Sequence, residues 1–312
     1  MVKTFCEKYN FDPILLPGIT NEERVQFNAM EDEDFFSDLE GMFSSQRDRI
    51  IYESDFNIQP ATDNKPYFFQ FLRWKKFQKL VKTMGGKSTV FLELGYLITV
   101  VTFIQVVILA LLFIILPLFR LGLKGGNKSW VVTYFTALGF GYMFLEIVFI
   151  KYFVLYLGHP IYSVATVISV MLISSGIGSY FSSRYKIYRK ALLKITGLIT
   201  GLILIYAVVI GVFLSGTVGL PIVIKILLTV VIIAIPSFFM GMPFPIGLKI
   251  VNDNKKSNVP WAWGINGCVS VISTSLAVII AVEMGFMAVM LFAALAYSIA
   301  FLSNFFIRAK GI

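Results

Sequence analysis

The chain has one histidine and two cysteines in 312 residues. A lone His159 excludes a multi-histidine metal centre. Cys6 and Cys268 form neither a disulfide framework nor a metal-binding spacing, so no metal site is expected. Charge is also scarce: Asp, Glu, Lys and Arg make up 14% of residues and hydrophobic ones 57%, well away from the balance of a water-soluble domain. There is no GxGxxG loop, no GxxxxGK followed by Ser or Thr, no Ser/His/Asp constellation and no clear internal repeat. No catalytic residue is therefore assigned. The N-terminal MVKTFCEKYNFDPILLPG lacks the signal-peptide pattern and reads as a helix-like piece running into a strand-like one.

What is present is hydrocarbon. Apolar stretches at 90–119, 129–157, 160–182, 190–214, 221–247, 261–281 and 284–307 each reach the ~20 residues that an α-helix needs to cross a bilayer. The expected fold is a mainly α polytopic bundle of about seven spans over residues 89–312, preceded by a soluble head at 1–72 and a basic aromatic collar at 73–88. The net charge of +9 hides a division: the head has 14 acidic and 6 basic residues, whereas the remainder has 21 basic and 4 acidic. These basic residues sit in loops and at span ends, where they fix topology and meet lipid headgroups, so the partner is the bilayer and not nucleic acid. They are densest in the loops between spans 1–2, 3–4 and 5–6. That places those loops in the cytoplasm and the head on the other side, unless one stretch does not cross.

In the head, FDPILLPG (11–18) reads as a buried strand closed by a Pro-Gly turn. Residues 21–44 read as helical, with the acidic run 31–34 as a solvated face, and 50–58 as a short strand. The head is too short for a complete doubly wound domain. Thr62 and Asp63 can cap a turn that Pro66 stiffens. Tyr67, Phe68, Phe69, Phe71 and Trp74, interleaved with Arg73, Lys75 and Lys76, suit the headgroup layer.

Polar residues are few in the spans, so each is informative. Glu146 shares a helical stripe with Tyr142 and Gly139, and is read either as a proton or cation site or as a carboxyl bonded to a neighbouring helix. His159, in LGHP before the third span, is a turn residue or a proton relay. Tyr162, Thr166 and Ser169 form a second stripe. Gly197 and Gly201 form GxxxG. IPSFFMGMPFPIG (235–247) should break the fifth span, because Pro236, Pro243 and Pro245 each lack a donor and Gly241 lies among them; such breaks often border transport sites. On the sixth span, Trp261 and Trp263 are interface anchors. Asn266 and Ser270 share a face with Trp263 and Ser273, and Asn266 is the expected partner of Glu146.

The ordered motifs FDPILLPG, PATDNKPYFF, LGFGYMFLE, LGHPIYS, FMGMPFPIGL and PWAWGINGCVSV resemble the C-terminal part of membrane-bound spermidine synthase-like proteins, which are polyamine aminopropyltransferase-like domains fused to multi-span segments. The resemblance implies that the head is an α/β remnant of a Rossmann-like domain, with FDPILLPG as one of its last strands. It implies localisation in the plasma or inner membrane, a fused or separate Rossmann-like catalytic partner, and polyamine as a related ligand. The donor, decarboxylated S-adenosylmethionine, is implied only for a full-length relative, because the glycine-rich loop and the acidic residues that hold donor and polyamine are not among the residues here. The family's TDD reads TDN in this chain, with Asn64 in the second place. A secondary transporter for a small cation or polyamine and a non-catalytic scaffold are the alternatives.

Overall fold

The computed structural model describes residues 2–27, 33–76, 82, 94–120, 128–185, 187–254 and 258–306. The chain separates into two compact units: Met1–Pro60 with Phe68–Glu93, and Ala61–Tyr67 with Leu94–Ile312. The turn 61–67 thus clusters with the helices of the second unit.

The first unit is helical, with α1 Val2–Tyr9, α2 Asn21–Arg24, α3 Glu33–Met42 and α4 Arg47–Glu53. This corrects the expected α/β remnant: no strand occurs among the described residues, and the only bridge is the isolated pair Thr62–Lys65. FDPILLPG is irregular because its two prolines cannot donate to a ladder and no described strand lies beside it. Its Asp12 carboxylate instead accepts the Phe27 N–H at 2.9 Å. Asn10, at φ +56°, takes the left-handed position that ends α1. Residues 50–58 begin inside a helix. Arg49 pairs with Glu53 one turn on, and Arg73 and Lys76 donate to the Ile51, Tyr52, Glu53 and Ser54 carbonyls at the end of α4. Those two basic residues of the collar are therefore engaged in a helix C-cap. The collar at 77–81 and 83–88, and residues 31–32 of the acidic run, lie outside the described residues.

The second unit has seven helices long and apolar enough to cross a membrane, the architecture of a multi-pass membrane protein. They are α5 Leu94–Ala110, continued by a π turn at Leu111–Ile115 and a last turn at Leu116–Phe119; α6 Lys128–Leu157; α7 Pro160–Phe181; α8 Tyr188–Thr217; α9 Ile222–Met240 with α10 Pro243–Asn254 in one span; α11 Val259–Met284; and α12 Phe286–Ser303. α6 is the hub, packed against α7, α9, α10, α11 and α12. Half of the apolar length of α6 is buried, against 6% of that of α5, the least buried of the seven.

Proline sets the helix irregularities. Pro117 leaves the Phe113 carbonyl without its ordinary donor, and the wider π ladder falls at that carbonyl. Pro236 stays inside α9, so the helix does not unwind there. The Ile232 carbonyl it leaves unpaired accepts the Tyr206 hydroxyl of α8 at 2.8 Å. The break itself falls at Gly241–Met242, after which Pro243 begins α10 in the first-turn position that a missing N–H suits. Backbone packing holds α7 against this region. An added Cβ would come within 1.8 Å of the Phe238 oxygen at Gly178 and 2.0 Å of the Ser175 oxygen at Gly241, so only glycine permits the approach.

Candidate functional site

A cavity of about 610 Å³ lies inside the helical unit beside the α9–α10 break. α6 supplies Leu138, Gly139, Tyr142 and Met143. α7 supplies Leu172, Ser175, Gly176 and Ser179, and the break supplies Met240, Gly241, Phe244 and Pro245. Trp263, Asn266 and Ser270 come from α11 and Tyr297 from α12. Seven of the residues singled out in the sequence meet here: Gly139, Tyr142, Gly241, Pro245, Trp263, Asn266 and Ser270.

The local geometry follows from small residues. Gly139 lets α11 come close: a Cβ there would sit 3.1 Å from the Asn266 backbone oxygen and 3.3 Å from its Nδ2. Asn266 Nδ2 donates to the Phe135 carbonyl of α6 at 3.2 Å, so its partner is backbone and not Glu146. The Tyr142 hydroxyl lies 3.5 Å from Ser175 Oγ, at the limit of a hydrogen bond. Ser273, on the same stretch of α11, is buried and directs its hydroxyl to the Val269 and Ser270 carbonyls of its own helix. The Tyr134 hydroxyl donates to the Pro243 carbonyl at 2.9 Å and fixes the start of α10 to α6.

Other sequence candidates lie elsewhere. Glu146 is half-buried one turn along α6 from Tyr142; it does not line the cavity, and its carboxyl makes no hydrogen bond or ion pair among the described residues. His159 is exposed at the N-cap of α7, its ring edge-on to Tyr162 at 5.6 Å, and its carbonyl accepts the Ser163 N–H at 3.1 Å. With Gly158 at φ +73°, this is a tight turn between α6 and α7. Tyr162 and Ser169 are exposed; the buried stripe of α7 runs one position on, through Ser163, Val167 and Met171. Trp261 is buried, with Phe119 edge-on and Lys128 over its ring, whereas Trp263 is exposed. Pro236 acts through Tyr206 and does not line the cavity. Among the described residues no group of three or more His, Cys, Asp or Glu could hold a metal ion.

Sequence reasoning missed Tyr297, Phe244, Met143 and the serines of α7 as site residues. A single tyrosine in the apolar run of α12 was the available signal for Tyr297.

A second built feature is the turn Ala61–Tyr67. Thr62 Oγ1 accepts the Lys65 N–H and closes it at 3.2 Å. Asn64 then caps α12 from outside the helix: its backbone oxygen accepts the Phe286 N–H at 2.8 Å, and its Oδ1 accepts the Met287 N–H at 2.7 Å. Lys65 Nζ donates to the Glu283 carbonyl at the end of α11, at 2.9 Å. Gly285, at φ +89°, passes so close that a Cβ would lie 2.5 Å from Asn64 Nδ2. Tyr67 packs edge-on to Phe286, and burial pushes its phenol up to about 12.

Fold and site together define a multi-pass helical membrane protein with a largely apolar cavity, carrying a few neutral polar groups, at a broken span. Comparison with protein-family models, curated proteins and solved structures found no match.

Proposed function

We propose that the chain is the membrane module of a spermidine synthase-like protein of the plasma or inner membrane. In this reading it works with a Rossmann-like catalytic portion, fused or separate, which binds the polyamine and the decarboxylated S-adenosylmethionine donor. The observation that carries the reading is the unburied apolar surface of the head. Phe36, Ile51 and Leu72 are its only buried apolar residues among those described, while Phe5, Phe11, Ile14, Phe43, Tyr52 and Phe68 are exposed, Tyr52 at 81% and Phe43 at 75%. A segment with so little core is covered by something else. The motif series that resembles this family names a Rossmann-like portion as the cover. The test is isolation of the protein from its native membranes under mild detergent, followed by assay of aminopropyl transfer from decarboxylated S-adenosylmethionine to putrescine. The reading expects transfer activity and a Rossmann-like polypeptide with the chain. Absence of both overturns it.

The secondary-transporter reading has one observation of its own: a carboxyl, Glu146, without a partner in the middle of a membrane helix. It expects proteoliposomes to take up putrescine and Glu146→Gln to abolish the uptake; uptake indifferent to the change removes it.

A further inference from the structure

Among the described residues, no Asp, Glu, Lys, Arg or His lines the cavity beside the α9–α10 break. Its polar groups are neutral, and several are unengaged. Tyr297 is 1% exposed and lines the cavity, yet its hydroxyl makes no hydrogen bond to another described residue. The same holds for the Ser270 hydroxyl and for Asn266 Oδ1, whose amide nitrogen is already committed to Phe135.

The break is biased towards acceptors. Pro243 and Pro245 have no N–H, and the Ile246 N–H goes to the Met242 carbonyl at 3.3 Å. The Gly241 carbonyl, whose ordinary donor would be residue 245, has no partner among the described residues. A complementary ligand therefore brings an O–H donor. An ammonium would meet no carboxylate in the lining, and a charge at membrane depth without a partner is costly.

The cavity also has a side entrance. α7 and α11 both pack closely on α6, and the cavity lies between them. Its rim residues Leu172 and Trp263 are exposed, at 62% and 58%. Most of the remaining wall is apolar or aromatic, including Leu138, Met143 and Phe244.

We propose that this cavity binds the uncharged hydroxyl headgroup of a membrane-dissolved amphiphile, which enters from the bilayer between α7 and α11 with its chains left along the Leu172–Trp263 opening. Tyr297, Ser270, Asn266 and the Gly241 carbonyl receive the headgroup, and the flanking aromatic rings cover it. The inference concerns the helical unit and is independent of what covers the head.

The experiment uses the full chain in nanodiscs and a photoactivatable, clickable diacylglycerol, with the same chains on a phosphocholine head as control. The diacylglycerol probe should label peptides that contain residues 138–143, 172–179 or 263–270. Ser270→Phe, which projects a ring into the headgroup site, and Leu172→Trp, which narrows its exposed rim, should each reduce that labelling about tenfold at unchanged thermal stability. The phosphocholine probe should be insensitive to both variants. Equal labelling by the two probes overturns the proposal, since that is annular lipid only. Labelling unaffected by Leu172→Trp overturns it as well, and so does displacement of the probe by putrescine, which would make the cavity an amine site.

Discussion

Asn64 shows how one side chain can terminate a helix it does not belong to. The two N–H groups it accepts, from Phe286 and Met287, are among those that the first turn of α12 cannot satisfy internally. Asn64→Ala should cost about 1–2 kcal/mol, read as a lower unfolding temperature of the chain in detergent. Asn64→Asp keeps both acceptors and adds a negative charge at a helix N-terminus, so it should be neutral or stabilising by about 0.5 kcal/mol. Glu23 offers a pH test. Lys3, which donates to its carboxylate at 2.8 Å, and then the Thr20 N–H hold its pKa below the usual carboxylate range. A pKa lowered on folding stabilises above the unfolded value, near 4.5, and that contribution is lost as pH falls through the lowered value. The Glu23 amide resonance should therefore titrate below about pH 4.5, and Glu23→Gln should remove that limb.

Among the elements, the fifth span makes the sharpest predictions, because two different devices support it. At Pro236 a neighbouring helix supplies the missing donor. Tyr206→Phe should destabilise by about 1 kcal/mol, as it strands the Ile232 carbonyl. Pro236→Ala restores the N–H, so in a double-mutant cycle the Tyr206→Phe penalty should largely vanish in the alanine background. Additive losses would show that the hydroxyl is not answering the proline. At the break, support comes from close approach. Gly178→Ala must displace the Phe238 carbonyl, and a cost of about 1–3 kcal/mol is expected from forced repacking. Gly201→Ala has nothing within 4 Å of the added carbon and should be silent in the same unfolding assay. The GxxxG of this chain is thus half a contact, since only Gly197 meets another helix, at Phe301.

For the molecule as a whole, orientation is open to direct measurement with the native cysteines. Cys6 is partly exposed in the head and Cys268 is buried. If the basic loops are cytoplasmic, as the positive-inside rule expects, the head lies on the opposite side, and a membrane-impermeant maleimide should label Cys6 in intact cells, with Cys6→Ser abolishing the signal. Labelling only after lysis would put the head in the cytoplasm, on the side of a soluble nucleotide donor. The sequence by itself determined the seven spans, because bilayer thickness imposes a length of apolar run that no folding partner is needed to reveal, and placed their ends to within about six residues. It also located the fifth-span break, since three prolines remove their donors in any context. Tertiary structure decided the rest. It decided that 11–18 and 50–58 form no strand, because a strand exists only beside another strand, whereas a helix closes its own hydrogen bonds. It decided that Asn266 meets the Phe135 carbonyl and that the outward stripe of α7 is the one with Tyr162, because periodicity says which residues share a face but not which way the face turns. It gathered Tyr142, Ser175, Asn266 and Tyr297 from four helices, with Gly241 from the α9–α10 break, into one cavity, since distance along the chain carries no record of which helices pack and which stay apart.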